Sequence, residues 1–207
     1  MTANGPRIFR AAAGLAALMI ALPAQGAPEA AGEASCFMRL GQVADAPRFE
    51  DFPAPRQRIT RQGGPILSTR EARTFRSALG AAAAQGPNFA GAYTVAVWGC
   101  GGSCTDFAVV DNRNGQVTFT AGLRPIAGDH GGYAPDYGAG LYYNLRFRPD
   151  SRLLILVGAP REDEARDGVT FLEWRGGAFH ELRFIPRAQV CASTAHAAEP
   201  AAGHSEH

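Results

Sequence analysis

The chain has 207 residues, 20 of them basic and 19 acidic, for a formal net charge of +1. Every basic residue is Arg and none is Lys, which excludes lysine Schiff bases, a P-loop lysine and lysine general bases. Near-neutrality provides no basic stripe to displace counterions, so nucleic acid is not an expected partner, and the length suits one domain with a sizeable core.

Arg7 and Arg10 precede the apolar run from Ala11 to Ala24, and Gln25 and Gly26 follow. This order of charge, hydrophobe and small residues predicts a secretory signal over residues 1–26, cleaved after Gly26, and a periplasmic or secreted location. The run is shorter than the roughly 20 apolar residues needed to cross a bilayer. Glu33-Ala34-Ser35 ahead of Cys36 does not make a lipoprotein site, so no membrane span is expected in the mature chain. Residues 27–35, and residues 192–207 with His196, His204 and His207, show no periodicity and read as a disordered linker and tail. A single domain, residues 36–191, lies between them.

In an oxidising compartment Cys36, Cys100, Cys104 and Cys191 are candidates for two bridges, and four cysteines allow three pairings. Gly101-Gly102-Ser103 can form the tight bend that brings Cys100 and Cys104 within the roughly 4–7 Å between Cα atoms that a bridge requires. That pairing leaves Cys36 with Cys191, a clasp across the whole domain. Zinc is not expected, because Cys100 and Cys104 have no second Cys or His pair at short spacing, and no cofactor fingerprint occurs. The fragment superficially resembles the active-site segment of papain-like proteases. Thr105 stands where an aromatic belongs, however, and His130 follows too soon.

Ser68 with Glu71 has the spacing of a capping box, and Ala72, Phe75, Leu79 and Ala82 share one helical face. Gly86-Pro87 closes the pattern, so a helix is expected from Ser68 to Gln85. Seven short β-rich segments follow: Tyr93 to Gly99, Phe107 to Asp111, Gln116 to Thr120, Tyr142 to Arg148, Leu153 to Gly158, Val169 to Trp174 and Phe179 to Ile185. Turns such as Asn112-Arg113-Asn114-Gly115 and Gly176-Gly177 separate them. The fold class expected is therefore mainly β, an antiparallel meander of about seven strands, propeller-blade-like from Tyr142 to Ile185, with one N-terminal helix packed on the sheet. Leu153 to Val157 is apolar without alternation and should be buried on both faces. Asn144, Arg146 and Arg148 alternate with Tyr143, Leu145 and Phe147 and should leave one face wet.

Asn88-Phe89-Ala90-Gly91, Tyr93, Trp98-Gly99-Cys100-Gly101 and Cys104 resemble a motif of an uncharacterised family of exported bacterial proteins with no known activity. The resemblance covers about Ser68 to Gln116. Many of its members carry a basic residue where this chain has Ala92, so a proton-transfer role there does not carry over. Asn88 is a candidate ligand contact, or a side chain that braces the turn after the helix.

The stretch Gly122 to Gly140 is long for a hairpin connection and gathers Asp129, His130, Tyr133, Asp136 and Tyr137, a composition suited to adaptable recognition. A serine hydrolase would need Ser103, which lacks a Gly-x-Ser-x-Gly elbow. No pair of carboxylates is singled out for glycoside hydrolysis, and Arg161 to Asp167 reads as a solvated charged loop. The function expected is a non-enzymatic binding or cell-envelope interaction module whose partner is an envelope ligand or protein. Asn88, Asp129, His130, Tyr133, Asp136 and Tyr137 are its candidate contacts. A small periplasmic hydrolase using His130 with Asp129 or Asp136 is the alternative.

Overall fold

The computed structural model describes residues 45–60, 64–128 and 144–190. The fold is mainly β: eight antiparallel strands in one open sheet, β1 (Tyr93–Gly101), β2 (Cys104–Asp111), β3 (Val117–Thr118), β4 (Ile126–Ala127), β5 (Leu145–Phe147), β6 (Leu153–Pro160), β7 (Gly168–Arg175) and β8 (Ala178–Pro186). The strand order is β1-β2-β4-β6-β7-β8, with β3 paired to β2 and β5 to β6. All seven expected strands are present with shifted ends, and β5 to β8 form the four-stranded meander. The eighth strand, β4, lies in the stretch expected to be a loop.

Two residues of β4 organise the sheet. Thr105 and Cys104 of β2 pair with Ile126 and Ala127 on one side, and Pro160 and Ala159 of β6 pair with them on the other. Beyond this rung the edges diverge: β3 occupies the edge of β2 at Val109 and Val110, and β5 occupies that of β6 from Leu154 to Leu156. The sheet turns a corner at β4 and folds over a shared core. Val95, Phe107 and Val109 from one half meet Leu145, Phe147, Leu154, Leu156, Leu172 and Trp174 from the other. The ring of Phe107 in β2 lies 6.3 Å from that of Phe179 in β8, and Tyr93 in β1 lies 5.3 Å from Trp174 in β7. Only glycine fits the inside of the corner, since Gly158 has a φ of +120° and a Cβ there would lie 2.4 Å from the carbonyl oxygen of Ala127.

β6 is buried along its whole length, as its unbroken apolar run requires. Leu154 and Leu156 face the shared core, whereas Leu153, Ile155 and Val157 point the other way, onto Ala46, Phe49, Val169, Phe171, Ile185 and Val190. A short 3-10 turn, Phe49–Asp51, holds this cover in place, because Ser151 donates its hydroxyl hydrogen to the carbonyl of Phe49 at 2.8 Å. The helix therefore does not cover the second face of the central strand. It packs on β1 and β2 instead, where Ala72 and Leu79 meet Ala96, Ala108 and Val110.

That helix is broken into α1 (Arg70–Thr74) and α2 (Arg76–Ala84). Phe75, between them, leaves helical geometry at φ −97° and ψ 19° and stacks on Trp98 with centroids 4.6 Å apart. Thr69 is the N-cap, accepting from the Ala72 amide at 3.0 Å. The expected Ser68–Glu71 box does not form, and the Glu71 carboxylate pairs with Arg124 instead. A second correction concerns β5. Asn144 and Arg146 are buried rather than wet, because the corner at β4 brings other elements over that face. Thr105 donates its hydroxyl to Asn144 Oδ1 at 2.7 Å, and Asn144 Nδ2 donates to the Val157 carbonyl at 2.8 Å. Arg146 Nη1 donates to the carbonyl of Leu145.

Candidate functional site

Where the two halves of the sheet splay apart, away from the corner, the core ends in a cleft with two compartments. The first, about 200 Å³, is lined by Tyr93, Val109, Asp111, Gln116, Thr118, Trp174 and the Gly176-Gly177 turn. Its neighbour, about 400 Å³, lies between Thr118–Leu123 on one side and Leu172 and the β7–β8 hairpin on the other. Thr118 and Gly177 line both. Their summed size falls in the range of small-ligand pockets.

Local sequence places each wall. Gly176 and Gly177 have φ of +62° and +82°, the conformation a two-residue hairpin turn demands, and this turn ends β7 just after Trp174. On the opposite wall Asp111 caps the β2–β3 turn, accepting from the backbone N–H of Arg113 at 2.9 Å. The Arg113 guanidinium folds back on the same carboxylate, with Nε 2.9 Å from Oδ1 and Nη2 2.7 Å from Oδ2, and also donates to the phenol of Tyr93. Burial pushes the Asp111 carboxyl up, but the hydrogen bonds from Arg113 and Asn114 outweigh it and hold the group below its ordinary range. The Arg113 guanidinium, bonded to Asp111, is correspondingly held in its charged form. This ion pair is closed on itself.

Trp174 is 3% exposed, packed edge-on against Tyr93 and Phe179, and its indole N–H has no acceptor. Indole is a donor only, and a buried donor left unmade costs about 1–3 kcal/mol. Thr120, on the wall of the larger compartment, likewise has a buried hydroxyl without a partner. The indole N–H of Trp98 and the hydroxyl of Thr170, which line neither compartment, are unpartnered in the same way, so these atoms are closed off within the packing.

Of the contacts expected from the sequence, Asn88 is described. Its Oδ1 accepts from the Val95 amide at 2.8 Å and its Nδ2 donates to the Val95 carbonyl at 3.2 Å, so the side chain braces the segment between α2 and β1. Asp129, His130, Tyr133, Asp136 and Tyr137 lie outside the described residues, as do Cys36 and Cys191. Cys100 and Cys104 are joined at the tip of the β1–β2 hairpin with their Cα atoms 5.1 Å apart. Ser103, in that tip, has a φ of +52° and its carbonyl accepts from Gly128. The charged loop after β6 forms a 3-10 turn, Glu164–Arg166, capped by Asp163. It beds down through Arg166 on Glu181 and Asp167 on Arg187.

Among the described residues no group of three or more His, Cys, Asp or Glu converges as a metal site, and no helix is long and apolar enough to cross a membrane. Trp174, Thr120 and the Asp111–Arg113 pair are absent from the sequence-derived contacts. The signal for Trp174 is an aromatic two residues before a Gly-Gly turn, which also describes an ordinary core residue. Compared with protein-family models, curated proteins and solved structures, the chain has no significant match.

Proposed function

We propose that this chain is an exported, non-enzymatic binding module that takes its ligand in the two-compartment cleft between β3 and the β7–β8 hairpin. The observation carrying this reading is the joined pair of compartments, about 200 and 400 Å³, at the open end of the core between β3 and the β7–β8 hairpin. The aromatic wall of the smaller compartment is closely packed, with the Trp174 ring 5.3 Å from Tyr93 and 4.7 Å from Phe179 between centroids. Export is supported by the charge-hydrophobe-small pattern of residues 1–26.

Expression with the leader and recovery from the periplasm supplies the protein for the test, and intact mass reports cleavage after Gly26. A thermal-shift screen against envelope polymers, small metabolites and metal ions then seeks a ligand. The expected result is a stabilising compound whose effect disappears in Ala178→Trp, which fills the larger compartment, and survives in His130→Ala/Tyr133→Ala. Stabilisation lost only in the latter pair moves the site to the Gly/Tyr-rich stretch. A flat screen, or one that Ala178→Trp leaves unchanged, overturns the cleft as the binding site.

A further inference from the structure

We infer that the cleft takes an uncharged sugar bearing an apolar substituent, with the sugar hydroxyls on Tyr93, Gln116 and Thr118 and the substituent in the larger compartment. The inference rests on the binding reading above and adds the chemical class of ligand. The first observation is strand register, which fixes where these side chains point. Thr118 pairs with Val109, and the Asp111 amide donates to the Gln116 carbonyl, which sets Gln116 opposite Asp111; on its other side Asp111 pairs with Tyr93. Val109 belongs to the shared core, whereas Val110 and Val117 face the helix. Tyr93, Asp111, Gln116 and Thr118 therefore share the cleft side, and all four line the smaller compartment. Directly opposed side chains stand about 5 Å apart, and Gln116 and Thr118, two residues apart along one extended segment, about 7 Å.

The second observation is which of these groups are still open to bond. Asp111 is full: Oδ1 accepts from the amide and Nε of Arg113, and Oδ2 accepts from Nη2 of Arg113 and Nδ2 of Asn114. At the larger compartment Glu181 pairs with Arg166. Each carboxylate lining these two compartments is thus matched by a guanidinium, which favours a neutral ligand over a charged one. Gln116 is exposed and Thr118 half-buried, and neither side chain makes a hydrogen bond among the described residues. The Tyr93 phenol accepts from Arg113 and keeps its hydrogen to donate. This row offers donors and acceptors several ångströms apart. Hydroxyls spread round a rigid ring answer it, since each both donates and accepts, whereas plain hydrocarbon would cover Gln116 and Thr118 without partners. The third observation is the division of the lining. Beyond Thr118, which lines both compartments, the larger one is walled by Leu123, Leu172 and Phe179 of the shared core, where an apolar substituent leaves water. The same chemistry occurs in a sugar-headed lipid and in an aryl glycoside.

The test follows the side-chain amide peaks of Gln116 in a ¹⁵N–¹H spectrum, assigned by Gln116→Met. The probes are octyl β-glucoside, octyl β-galactoside and phenyl β-glucoside, all kept below the concentration at which the octyl compounds form micelles. Octanol, octanoate and octylamine carry the same chain without the sugar. Titration with at least one glycoside is expected to move the Gln116 peaks and saturate, with the three sugarless compounds at least about tenfold weaker. The glycoside that saturates at the lowest concentration identifies the source, lipid-like or aryl. Gln116→Met/Thr118→Val keeps the volume of both side chains and removes their polar groups. It is expected to weaken that glycoside by about tenfold or more, read by calorimetric titration, while its thermal melt stays close to that of the parent. Gln116 peaks unmoved by every glycoside, sugarless compounds that bind as well, or full affinity in the double variant overturns the inference. A hit from the thermal-shift screen that Ala178→Trp abolishes, when no glycoside binds, removes the ligand class and keeps the cleft as a binding site. A flat screen with no glycoside bound removes both.

Discussion

Arg124 is the side chain on which three elements depend. Its guanidinium pairs with Asp106 in β2 through Nε and Nη2, reaches Glu71 in α1 through Nη1, and sits with Cζ 4.9 Å above the ring of Phe119. Its side chain is 10% exposed and that of Asp106 8%, so removing the cation leaves a carboxylate with little water to solvate it. Arg124→Met is therefore expected to lower stability by about 3–5 kcal/mol, and Arg124→Met with Asp106→Asn to recover most of that. Chemical denaturation of the two variants checks it, and additive losses would show that the pair is not coupled. Asp111 behaves differently because its partner Arg113 is 46% exposed and solvent screens the pair. Its carboxyl is held below the ordinary value, so the stabilisation it gives is complete above the unfolded-state pKa of about 4 and fades as pH falls through the folded value. Asp111→Asn should be less stable than the parent by about 1 kcal/mol at neutral pH. Urea melts at pH 7 and pH 3 should show that gap closing in acid; a gap unchanged at pH 3 would mean the carboxylate is not the source.

The corner at β4 depends on close backbone approach, and two glycine substitutions separate that effect from simple conformational strain. A Cβ at Gly158 meets the Ala127 carbonyl at 2.4 Å, whereas one at Gly177 meets nothing within 4 Å, although both have positive φ. Gly177→Ala should cost about 1 kcal/mol from φ alone, and Gly158→Ala about 3 kcal/mol because β4 and β6 must also part. Equal losses in thermal melts would mean that the β4 rung yields freely. The same corner explains what could be read in the chain and what could not. β6 was legible because an unbroken Leu-Leu-Ile-Leu-Val run has one comfortable place, the middle of a covered sheet. The β7–β8 hairpin was legible because Gly-Gly between two aromatic strands has one local solution. β4 was not, since two residues flanked by Pro125 and Gly128 carry no periodicity, and what makes them a strand is the pairing of Thr105 with Ile126 and of Ala127 with Ala159. Missing β4 also hides the burial of Asn144, whose polar atoms are answered by Thr105 and Val157 from the two strands it joins. Phe75 fits the apolar face of an unbroken helix, and only its stack on Trp98 shows why the helix breaks there.

The cleft was harder to foresee than the strands, because it belongs to neither half of the sheet alone. Trp174 looks like any core aromatic in β7; that it stands at an open end follows only from the folding of β1–β3 over β5–β8. Asn88, which does stand out in the chain, turns out to have both polar atoms engaged by Val95. Among the described residues strand pairing joins the two halves through the short β4 rungs, with a few further hydrogen bonds, Thr105 to Asn144 and the Ala90 and Gly91 amides to the Ser151 and Pro149 carbonyls. Most of their cooperation comes from the common core, where Val95, Phe107 and Val109 interleave with Leu154, Leu156 and Trp174. Burying large aliphatic and aromatic side chains there stabilises by about 1.5–3 kcal/mol each, far more than two-residue rungs supply, so neither half should persist without the other. The two tryptophans report different places: Trp98 sits between β1 and the helix, stacked on Phe75, and Trp174 sits in β7 at the seam, against Tyr93 of β1. Urea unfolding followed by fluorescence in Trp98→Phe and in Trp174→Phe should, after each curve is compared with far-UV dichroism of the same variant, give coincident transitions. If the fluorescence of the variant retaining Trp98 changes at lower urea than its dichroism, the helix-bearing half opens first, and the shared core is not what unites the domain.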